Sequence, residues 1–514
     1  MATVRLGSTE GRWVMTSTIL ASAMAFIDAT ALNVVLPALQ KSLHATGTDL
    51  FWLLNAYLLI LASLILIGGS LGDKLGRKKI YMIGILVFIT GSAACGFAPN
   101  VPILIACRVI QGLGGSLMIP GSLSLISSSI DESEKGKAIG TWSAVTTIVT
   151  LGGPILGGAL ADAGLWRYIF FINVPIGIVA LFILWKKVAE SKEADADPVL
   201  DYPAVITTAL GLASLTFGFL RIPAVGIGNI QAYGALALGM ILLVAFVLRE
   251  RRTAHPMMPL RLFANRTFSG ANLLTFFLYA GLGVGMLFLS LDLVQAQGYS
   301  QLQSGLTFMP FTLLMIGIAR LAGSWADKTG PRLLLIAGPA TAGVGLLLLS
   351  FIGETKGPSD YWTSFFPGIL VFGLGMSFTV APLTTAVMRS VEDEYSGIAS
   401  GVNNAMTRIA NVFANAIFGA LAVLLFTGSL STRLGGVSLD KKSKQAAIAQ
   451  AVNLGNAKTP AGISGQEKTV IEAAYRGGFI DTYGTVMRLA SALAFLGALM
   501  TVLFIRNRPR ASGA

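Results

Sequence analysis

The sequence predicts an all-α polytopic membrane protein with 14 transmembrane helices, and three observations support this fold class. Apolar residues make up 54% of the 514-residue chain and charged residues only 12%, about half of the roughly 25% found in soluble domains. Apolar runs of about 20 residues, long enough to cross a bilayer, repeat from end to end. Glycine is abundant at 59 residues, which suits close packing of membrane helices. Together these features exclude a soluble enzyme, a disordered chain and a disulfide scaffold.

The predicted spans are apolar runs bounded by Gly, Pro or charged residues. In chain order they cover residues 13–39, 50–71, 79–98, 101–127, 137–161, 168–189, 202–220, 231–249, 268–292, 304–325, 332–353, 362–386, 397–427 and 480–506. Twelve spans remain an alternative if 202–220 and 231–249 are discounted. Both of these runs are nevertheless long and apolar enough to span.

A repeated motif predicts two homologous halves. It is Gly69-Ser-Leu-Gly-Asp73-Lys-Leu-Gly76-Arg77 after the second run and Gly323-Ser-Trp-Ala-Asp327-Lys-Thr-Gly330-Pro-Arg332 after the tenth. Internal repeats of this kind are typical of transporters. The predicted organisation has two six-helix pseudo-repeats with two inserted helices between them. The boundaries are an N-terminal six-helix bundle at 1–189, a linker with two inserted transmembrane helices at 190–266, and a C-terminal six-helix bundle at 267–514 with a long extracytoplasmic loop at 428–479.

Within that loop, Ser464-Gly-Gln-Glu467 matches a capping box. Because such a box marks a helix N-terminus, we expect one short amphipathic helix over 468–475, lying at the outer surface.

Lys and Arg gather in the loops on one predicted side of the membrane. The positive-inside rule places that side, and both termini, in the cytoplasm. The short loops on the other side hold only Lys41, Arg167, Arg221 and Lys356. The predicted location is the cell membrane (inner or plasma membrane). The net charge of +12 therefore reports topology, and no nucleic-acid partner is expected.

Five motifs, in order along the chain, resemble the fourteen-helix drug:proton antiporter family of the major facilitator superfamily. They are Asp28-Ala-Thr-Ala-Leu-Asn33-Val-Val-Leu-Pro37, the Gly69–Arg77 motif above, Leu104-Ile-Ala-Cys-Arg108-Val-Ile-Gln111-Gly112, Gly152-Gly153-Pro154-Ile-Leu-Gly157-Gly158 and Trp166-Arg167-Tyr168-Ile-Phe-Phe-Ile-Asn173-Val-Pro175. The resemblance implies multidrug efflux, in which small lipophilic or amphipathic compounds leave by alternating access in exchange for protons. The proton gradient is then the energy source, and no cofactor or metal is needed.

Asp28 and Arg108 are the candidate proton-coupling residues. A carboxylate within a membrane span costs about 2.5–3.5 kcal/mol and persists where it faces a cavity or a partner. A group that is neutral when it holds a proton and charged when empty can couple protons to transport. Arg108 is the expected counter-charge because arginine stays charged and both residues lie in the outer half of their runs. The alternatives are a helix-interface or outer-vestibule residue for Asp28 and a structural strut for Arg108.

Three further sets of residues are candidates. The predicted substrate cavity contains Asn33, Trp52, Tyr57, Gln111, Asn403, Asn404 and Arg408. The resemblance implies an antiporter seal or hinge formed by Gly153, Pro154, Gly157 and Gly158. A conformational latch is predicted at Gly69, Asp73, Gly76, Arg77, Asp327 and Arg332. Asp292 closes the ninth run, where simple solvation at the outer face is the plainer interpretation.

The sequence lacks a phosphate-binding loop with Gly-Lys-Ser/Thr, a metal-ligand cluster and a Gly-x-Ser-x-Gly elbow. We therefore expect a transporter that binds membrane lipid, protons and a small-molecule substrate, uses no ATP, and is a monomer. Two alternatives remain open. One is an exporter of an endogenous solute such as a lipid precursor, amino acid or siderophore. The other is a non-transporting receptor or scaffold, which would lose its function on deletion of residues 435–465.

Overall fold

The computed structural model describes residues 4–191, 201–253, 256, 258, 260–392, 396–437, 439–463 and 465–506. Its α-helices are, in chain order, α1 (Thr9–Leu43), α2 (Gly47–Leu75), α3 (Arg77–Phe97), α4 (Val101–Ser129), α5 (Lys135–Asp162), α6 (Tyr168–Phe171), α7 (Asn173–Lys187), α8 (Tyr202–Val225), α9 (Ile230–Glu250), α10 (Arg266–Gln295), α11 (Gln301–Thr307), α12 (Met309–Thr329), α13 (Arg332–Leu349), α14 (Phe365–Arg389), α15 (Ser396–Gly435), α16 (Lys441–Ala449) and α17 (Gly465–Phe504).

Among the described residues, 14 helical segments are long and apolar enough to cross a membrane. Two of them contain a break. The sixth span, Tyr168–Lys187, joins α6 to α7, and the tenth, Gln301–Ala326, joins α11 to α12. The described ranges contain no named strand, only an isolated bridge between Val4 and Ile130. The predicted fold class, an all-α polytopic membrane protein, is confirmed.

The chain divides into two compact units. The first comprises residues 1–45, 49–219 and 227–257. Within it α1 packs against α4, α5 and α7, and α3 packs against α4 and α7. The second comprises residues 46–48, 220–226 and 258–514. Within it α10 packs against α15 and α17, while α13 packs against α14 and α17.

Two glycines explain why the repeated motif recurs at equivalent turns. Gly76 separates α2 from α3 with φ 111°, and Gly330 ends α12 with φ 89°. Residues with a side chain rarely adopt these angles, whereas glycine does so readily. Each motif therefore encodes a tight turn between two consecutive spans.

The loop predicted at 428–479 is shorter in the structure. Because α15 continues to Gly435 and α17 begins at Gly465, the connection covers 436–464. It contains α16, whose N-terminus is capped by Asp440, and a 3-10 helix over Gln450–Asn456.

The expected separate helix over 468–475 is wrong, since these residues form the first turns of α17. Buried residues recur at helical spacing across the predicted boundary, from Ile471 through Tyr475 and Phe479 to Tyr483, so one continuous apolar stripe favours one helix. Ser464 of the predicted capping box lies outside the described residues.

Candidate functional site

A buried ion pair joins α1 to α4. The Nη1 atom of Arg108 donates to Oδ2 of Asp28 over 2.6 Å. The exposed fraction of the side chain is 0% for Asp28 and 2% for Arg108. Taking two such ions out of water costs several kcal/mol each, which their attraction offsets only when the geometry is good and the remaining polar atoms are bonded. The expected counter-charge is thus in direct contact with the carboxylate.

Gln111 completes a three-residue network. Its Nε2 donates to the second carboxylate oxygen of Asp28 over 2.9 Å, and its Oε1 accepts from Arg108 Nη1 over 2.8 Å. Gln111 lies one turn after Arg108 on α4, so both side chains project from the same helix face. Both oxygens of Asp28 are therefore bonded to protein donors, which is the arrangement that holds an ionised carboxylate.

The ring of Tyr57, from α2, lies beneath the guanidinium group of Arg108. The ring centroid is 4.5 Å from Cζ of Arg108, which is within the range of a cation–π interaction. Tyr57 is 2% exposed. When Arg108 is not paired with a carboxylate, this aromatic face still provides a partner for its charge.

Small residues on α3 and α4 position this network. A Cβ atom added at Gly91 of α3 would lie 2.7 Å from the backbone nitrogen of Gln111, and one added at Gly112 would lie 2.7 Å from the carbonyl oxygen of Tyr57. Helices approach this closely only where glycine stands at the contact. The glycines thus fix the depth at which α4 presents Arg108 and Gln111.

The Gly153-Pro154 element packs α5 directly against α1. A Cβ atom at Gly153 would lie 2.0 Å from Oγ1 of Thr30, and one at Gly157 would lie 2.7 Å from the carbonyl oxygen of Ala31. Gly153, Pro154, Gly157 and Gly158 are all buried. The contact lies within one turn of Asp28, so α5 supports the segment of α1 that carries the carboxylate.

Thr30 also satisfies the backbone group that the proline releases. Because Pro154 has no N–H, the carbonyl of Thr150, four residues earlier, loses its helical donor. The hydroxyl of Thr30 shares its hydrogen between that carbonyl, at 3.0 Å, and the carbonyl of Phe26 on its own helix, at 2.8 Å. This interhelical hydrogen bond was not predicted, although the pairing of a proline with a hydroxyl on a neighbouring span is a signal that the sequence contains.

The predicted cavity residues of the first unit do not all meet. Tyr57 and Gln111 join the Asp28–Arg108 network, as described above. Asn33, one turn after Asp28 on α1, is half-buried. Trp52 instead packs against Phe217 of α8, with ring centroids 6.4 Å apart. It therefore lies at the contact of α2 with an inserted helix and not in the network.

In the second unit, the predicted cavity residues lie on α15. Asn403 donates to Asn272 Oδ1 over 3.2 Å and to Thr275 Oγ1 over 2.7 Å, both on α10. Asn404 is exposed, and its amide donates to the carbonyl of Ser400 on its own helix. Arg408 is half-buried and lies close enough to Tyr279 of α10 to interact with it electrostatically. Asn403 and Arg408 thus form a polar contact between α10 and α15, and Asn404 is exposed beside it.

The predicted latch residues flank the two glycine turns. Arg77 begins α3, and its N–H donates to the carbonyl of Ser191 over 2.7 Å. Arg332 begins α13 and donates to the carbonyl of Val502 near the end of α17 over 3.3 Å. Gly69 lies in α2 with ordinary packing at Pro120. The side chains of Asp73 and Asp327 lie outside the described part of the structure.

Glu190 contacts the start of α3 beside the predicted latch, and sequence reasoning missed it. Its carboxylate accepts from the backbone N–H groups of Lys78 and Lys79, over 2.9 and 3.0 Å, at the start of α3. The first N–H groups of a helix lack partners and carry partial positive charge, so a carboxylate there is stabilising. Glu190 follows a run of lysines, which gave no signal for this role.

Asp292 was expected to be solvated, and this is wrong. Its side chain is 0% exposed. The turn after α10 folds back and covers it, so proximity to a helix end does not bring it to water.

Comparison with known proteins identifies relatives of the chain independently of the geometry of the site. Residues 18–415 match the family model described as Major Facilitator Superfamily. The chain is 29% identical over 500 residues to the tetracenomycin C resistance and export protein of Streptomyces glaucescens, covering 95% of this chain and 90% of that protein. It is 32% identical over 417 residues to the multidrug resistance protein Stp of Mycobacterium tuberculosis, covering 80% and 76%. It is 31% identical over 423 residues to the methylenomycin A resistance protein of Bacillus subtilis, covering 82% and 89%.

Solved structures support the fold. A bacterial homologue of the human lysosomal transporter Spinster, in an inward-facing and unoccupied conformation, matches with a TM-score of 0.68 and 19% identity, covering 98% of this chain and 100% of that one. The xylose transporter XylE from E. coli matches with a TM-score of 0.60 and 14% identity, covering 97% of each chain. At these identities the likeness shows a shared fold.

Proposed function

The chain belongs to the major facilitator superfamily, a family of multi-pass membrane transporters and not of enzymes, and we propose that it is a proton-coupled antiporter that exports small lipophilic or amphipathic compounds. The names of the relatives support export of drug-like molecules, since three of them are resistance or export proteins. The observation that carries the proton coupling is the buried ion pair of Asp28 and Arg108.

The coupling step begins with a proton that enters from the outer side. It binds a carboxylate oxygen of Asp28 and converts an ion pair into a neutral acid beside a cation. The attraction between Asp28 and Arg108 falls, while Arg108 keeps Gln111 and the ring of Tyr57 as partners. Loss of the proton restores the pair. A transported charge gains about 2.3 kcal/mol per 100 mV of membrane potential, which can drive this cycle.

The packing of α5 against α1 supports transmission of that step. Thr30 and Gly153 hold the two helices together beside Asp28, so α1 and α5 move together when the ion pair breaks. We propose that two six-helix halves, 1–189 and 267–514, alternate the access of the substrate site, with 190–266 as an inserted linker. The glycine turns at Gly76 and Gly330, with Gly69, Asp73, Arg77, Asp327 and Arg332, form the latch on the cytoplasmic side.

The proposed substrate contacts combine aromatic and amide groups. In the first unit they are Asn33, Tyr57 and Gln111, close to the carboxylate that gains and loses a proton. In the second unit they are Asn404 and Arg408 on α15. This chemistry suits planar amphipathic compounds, whose rings stack on aromatic faces while their polar edges bond to amides. On the predicted topology both termini lie in the cytoplasm, and the transporter acts as a monomer in the cell membrane.

The test uses purified protein in liposomes with an imposed pH gradient and the fluorescent cation ethidium as the probe, with puromycin as a second probe. We expect gradient-driven movement in the wild type and its loss in Asp28→Asn. Asp162→Asn is the matched control, because it makes the same chemical change at an exposed position near the end of α5. Exchange of probe without a gradient should persist in Asp28→Asn, which separates lost coupling from lost folding. Full gradient-driven movement by Asp28→Asn would refute the role of that residue.

A further inference from the structure

A second carboxylate, Asp292 at the end of α10, is as deeply buried as Asp28, but no cation in the described part of the chain is paired with it. Its side chain is 0% exposed. Its Oδ2 accepts one hydrogen bond, from Nε2 of Gln297 over 3.1 Å, and its Oδ1 has no partner. Among the described residues no lysine, arginine or histidine forms an ion pair with it.

Gln297 forms a strap over this carboxyl group. Its Nε2 donates both to Asp292 and to the carbonyl of Gly353, over 3.1 Å each. Its Oε1 accepts from the backbone nitrogen and the hydroxyl of Thr355, over 3.0 and 2.9 Å. Two donors and two acceptor positions are all an amide offers, so the side chain, 3% exposed, is fully bonded. The strap ties the turn after α10 to the connection between α13 and α14.

Two tyrosines are the titratable groups that interact with Asp292. Tyr483 of α17 and Tyr299 of the turn after α10 each lie close enough for an electrostatic interaction. Neither hydroxyl has a hydrogen-bond partner. Burial, with the nearby carboxylates of Asp360 and Asp292, raises the pKa of Tyr299 to about 12. It is therefore a neutral hydroxyl and supplies no positive charge.

Several charged residues on the elements around α10 have other partners. On α17, Arg476 pairs with Glu354 at 2.9 Å, Asp481 pairs with Arg433 of α15 at 2.8 Å, and Arg488 donates to Thr485. All three α17 side chains are exposed. In the connection before α14, Asp360 accepts from the backbone nitrogen of Lys356. Arg408 of α15 lies beside Tyr279, while α11 and the 3-10 helix over Gln450–Asn456 contribute no charged residue.

An ionised carboxylate in this position is strongly unfavourable. An isolated buried ion loses its hydration, and in practice it neutralises instead. A neutral acid needs only hydrogen bonds, and an orphan oxygen beside two unpartnered hydroxyls can carry the proton. From this geometry we propose that Asp292 is a second proton-binding site, which holds a proton while the Gln297 strap covers it and releases it when the strap opens.

The site couples proton release to the conformation of one end of the second unit. Opening the strap breaks the bonds from Gln297 to Asp292, Gly353 and Thr355 and admits water to the carboxyl group. On the predicted topology this end faces the outer solution. The role of Asp292 as a second coupling residue rests on the proposed antiport function, whereas its protonation does not.

The first test is infrared spectroscopy of the purified full-length protein in lipid at neutral pH. We expect the C=O stretching band of a protonated carboxyl group, which is lost in Asp292→Asn and kept in Asp28→Asn. Asparagine resembles the protonated acid in shape and keeps an acceptor for Gln297, so the variant should fold. An unchanged band in Asp292→Asn would overturn the proposal. Loss of the wild-type band on addition of sodium would also overturn it, because the site would then bind a metal cation.

A second measurement needs no variant. Dicyclohexylcarbodiimide enters from apolar surroundings and reacts with protonated carboxyl groups, and mass spectrometry then locates the label. We expect labelling of the peptide with Asp292 and little labelling of the peptide with Asp28. The reverse pattern would contradict the proposal. Both measurements stand without a transported probe, so failed export in liposomes leaves them interpretable.

The coupling role has its own readout, the number of protons moved per molecule of ethidium. Asp292→Asn should retain gradient-driven export with fewer protons per ethidium, whereas Asp28→Asn should lose gradient-driven export. An unchanged ratio in Asp292→Asn would contradict the coupling role while leaving the protonation established by spectroscopy.

Discussion

Asp28 and Asp292 are the same residue type at the same depth of burial in two different units, yet their surroundings differ in charge. Asp28 has Arg108 at 2.6 Å and a donor on each oxygen. Asp292 has one amide donor and an orphan oxygen. Burial alone therefore does not decide whether a carboxyl group holds a proton, because the partners of the charged form decide it. The first site provides partners for the charged form, and the second is suited to the neutral acid.

Because their partners differ, Asp28 and Asp292 also respond to different movements of the chain. Proton binding at Asp28 must compete with a cation, so it depends on rearrangement of α1 and α4. Proton release at Asp292 needs only access to water, so it depends on a side-chain strap between two turns. The two sites therefore respond to different movements of the chain, and four changes test this contrast from the largest expected effect to the smallest.

Arg108→Met should have the largest effect on stability. It leaves Asp28 as a buried charge without its cation, and breaking a buried pair in this way costs about 3–5 kcal/mol. Thermal unfolding in detergent measures the loss. The double variant Asp28→Asn with Arg108→Met should recover most of it, because no isolated charge remains. If the double variant is as unstable as Arg108→Met alone, then Arg108 acts mainly through packing and the contrast fails.

Gly153→Ala should cost about 1–3 kcal/mol, the usual range for overpacking. The added Cβ atom would meet Oγ1 of Thr30 at 2.0 Å, so α5 must move away from the segment of α1 that carries Asp28. Gly152→Ala is the matched control, because the neighbouring glycine is exposed and has no atom within 4 Å of the new Cβ position. Thermal stability and ethidium transport should both be lower in Gly153→Ala than in Gly152→Ala. Equal behaviour would show that the α1–α5 contact does not position Asp28.

Thr30→Val keeps the shape of the side chain and removes the donor to the carbonyl of Thr150. Interhelical hydrogen bonds in membranes average about 0.6 kcal/mol, so a loss of that order is expected in thermal unfolding. Thr90→Val is a suitable control, since Thr90 is exposed and bonds only within its own helix. The effect of Thr30→Val should disappear when Pro154 is replaced by Ala, because the helix then supplies its own donor to Thr150. Persistence of the effect would place the role of Thr30 elsewhere.

Asp292→Asn should change stability least at neutral pH, because no charge is left unpaired. The same change at Asp28 removes the counter-ion of Arg108, which keeps only Gln111 and the ring of Tyr57 as partners, so it should be more destabilising than Asp292→Asn. At higher pH the wild type should lose stability relative to Asp292→Asn. The carboxyl group holds its proton more tightly in the folded state than in the unfolded state. The free energy of unfolding of the wild type therefore falls as the pH rises. Equal pH profiles of unfolding would contradict a protonated Asp292.

The sequence predicted the Asp28–Arg108 pair because two opposite charges within apolar spans at similar depth have few other partners. The position of Gln111 one turn after Arg108 predicted that both side chains face the same cavity. The glycine motifs predicted the tight turns and the α5 element, since such local geometry depends on residues close together in the chain.

Contacts between distant segments were not predictable in the same way. Burial of Asp292 depends on Gly353 and Thr355, far along the chain from α10, and Trp52 contacts Phe217 only because α8 packs against α2. Glu190 caps α3 across more than a hundred residues. The helix α17 begins earlier than predicted because its buried residues form one continuous stripe. The glycine pair at 477–478 interrupts the apolar sequence, so the stripe was not recognised.

The central claim is that Asp28 exchanges a proton for a transported molecule. The most direct test measures ethidium binding to the purified protein as the pH is lowered. We predict that acidification displaces ethidium from the wild type and from Asp162→Asn, because a proton on Asp28 competes with the substrate, and that it displaces less from Asp28→Asn. The same pH dependence of ethidium binding in Asp28→Asn would contradict the account.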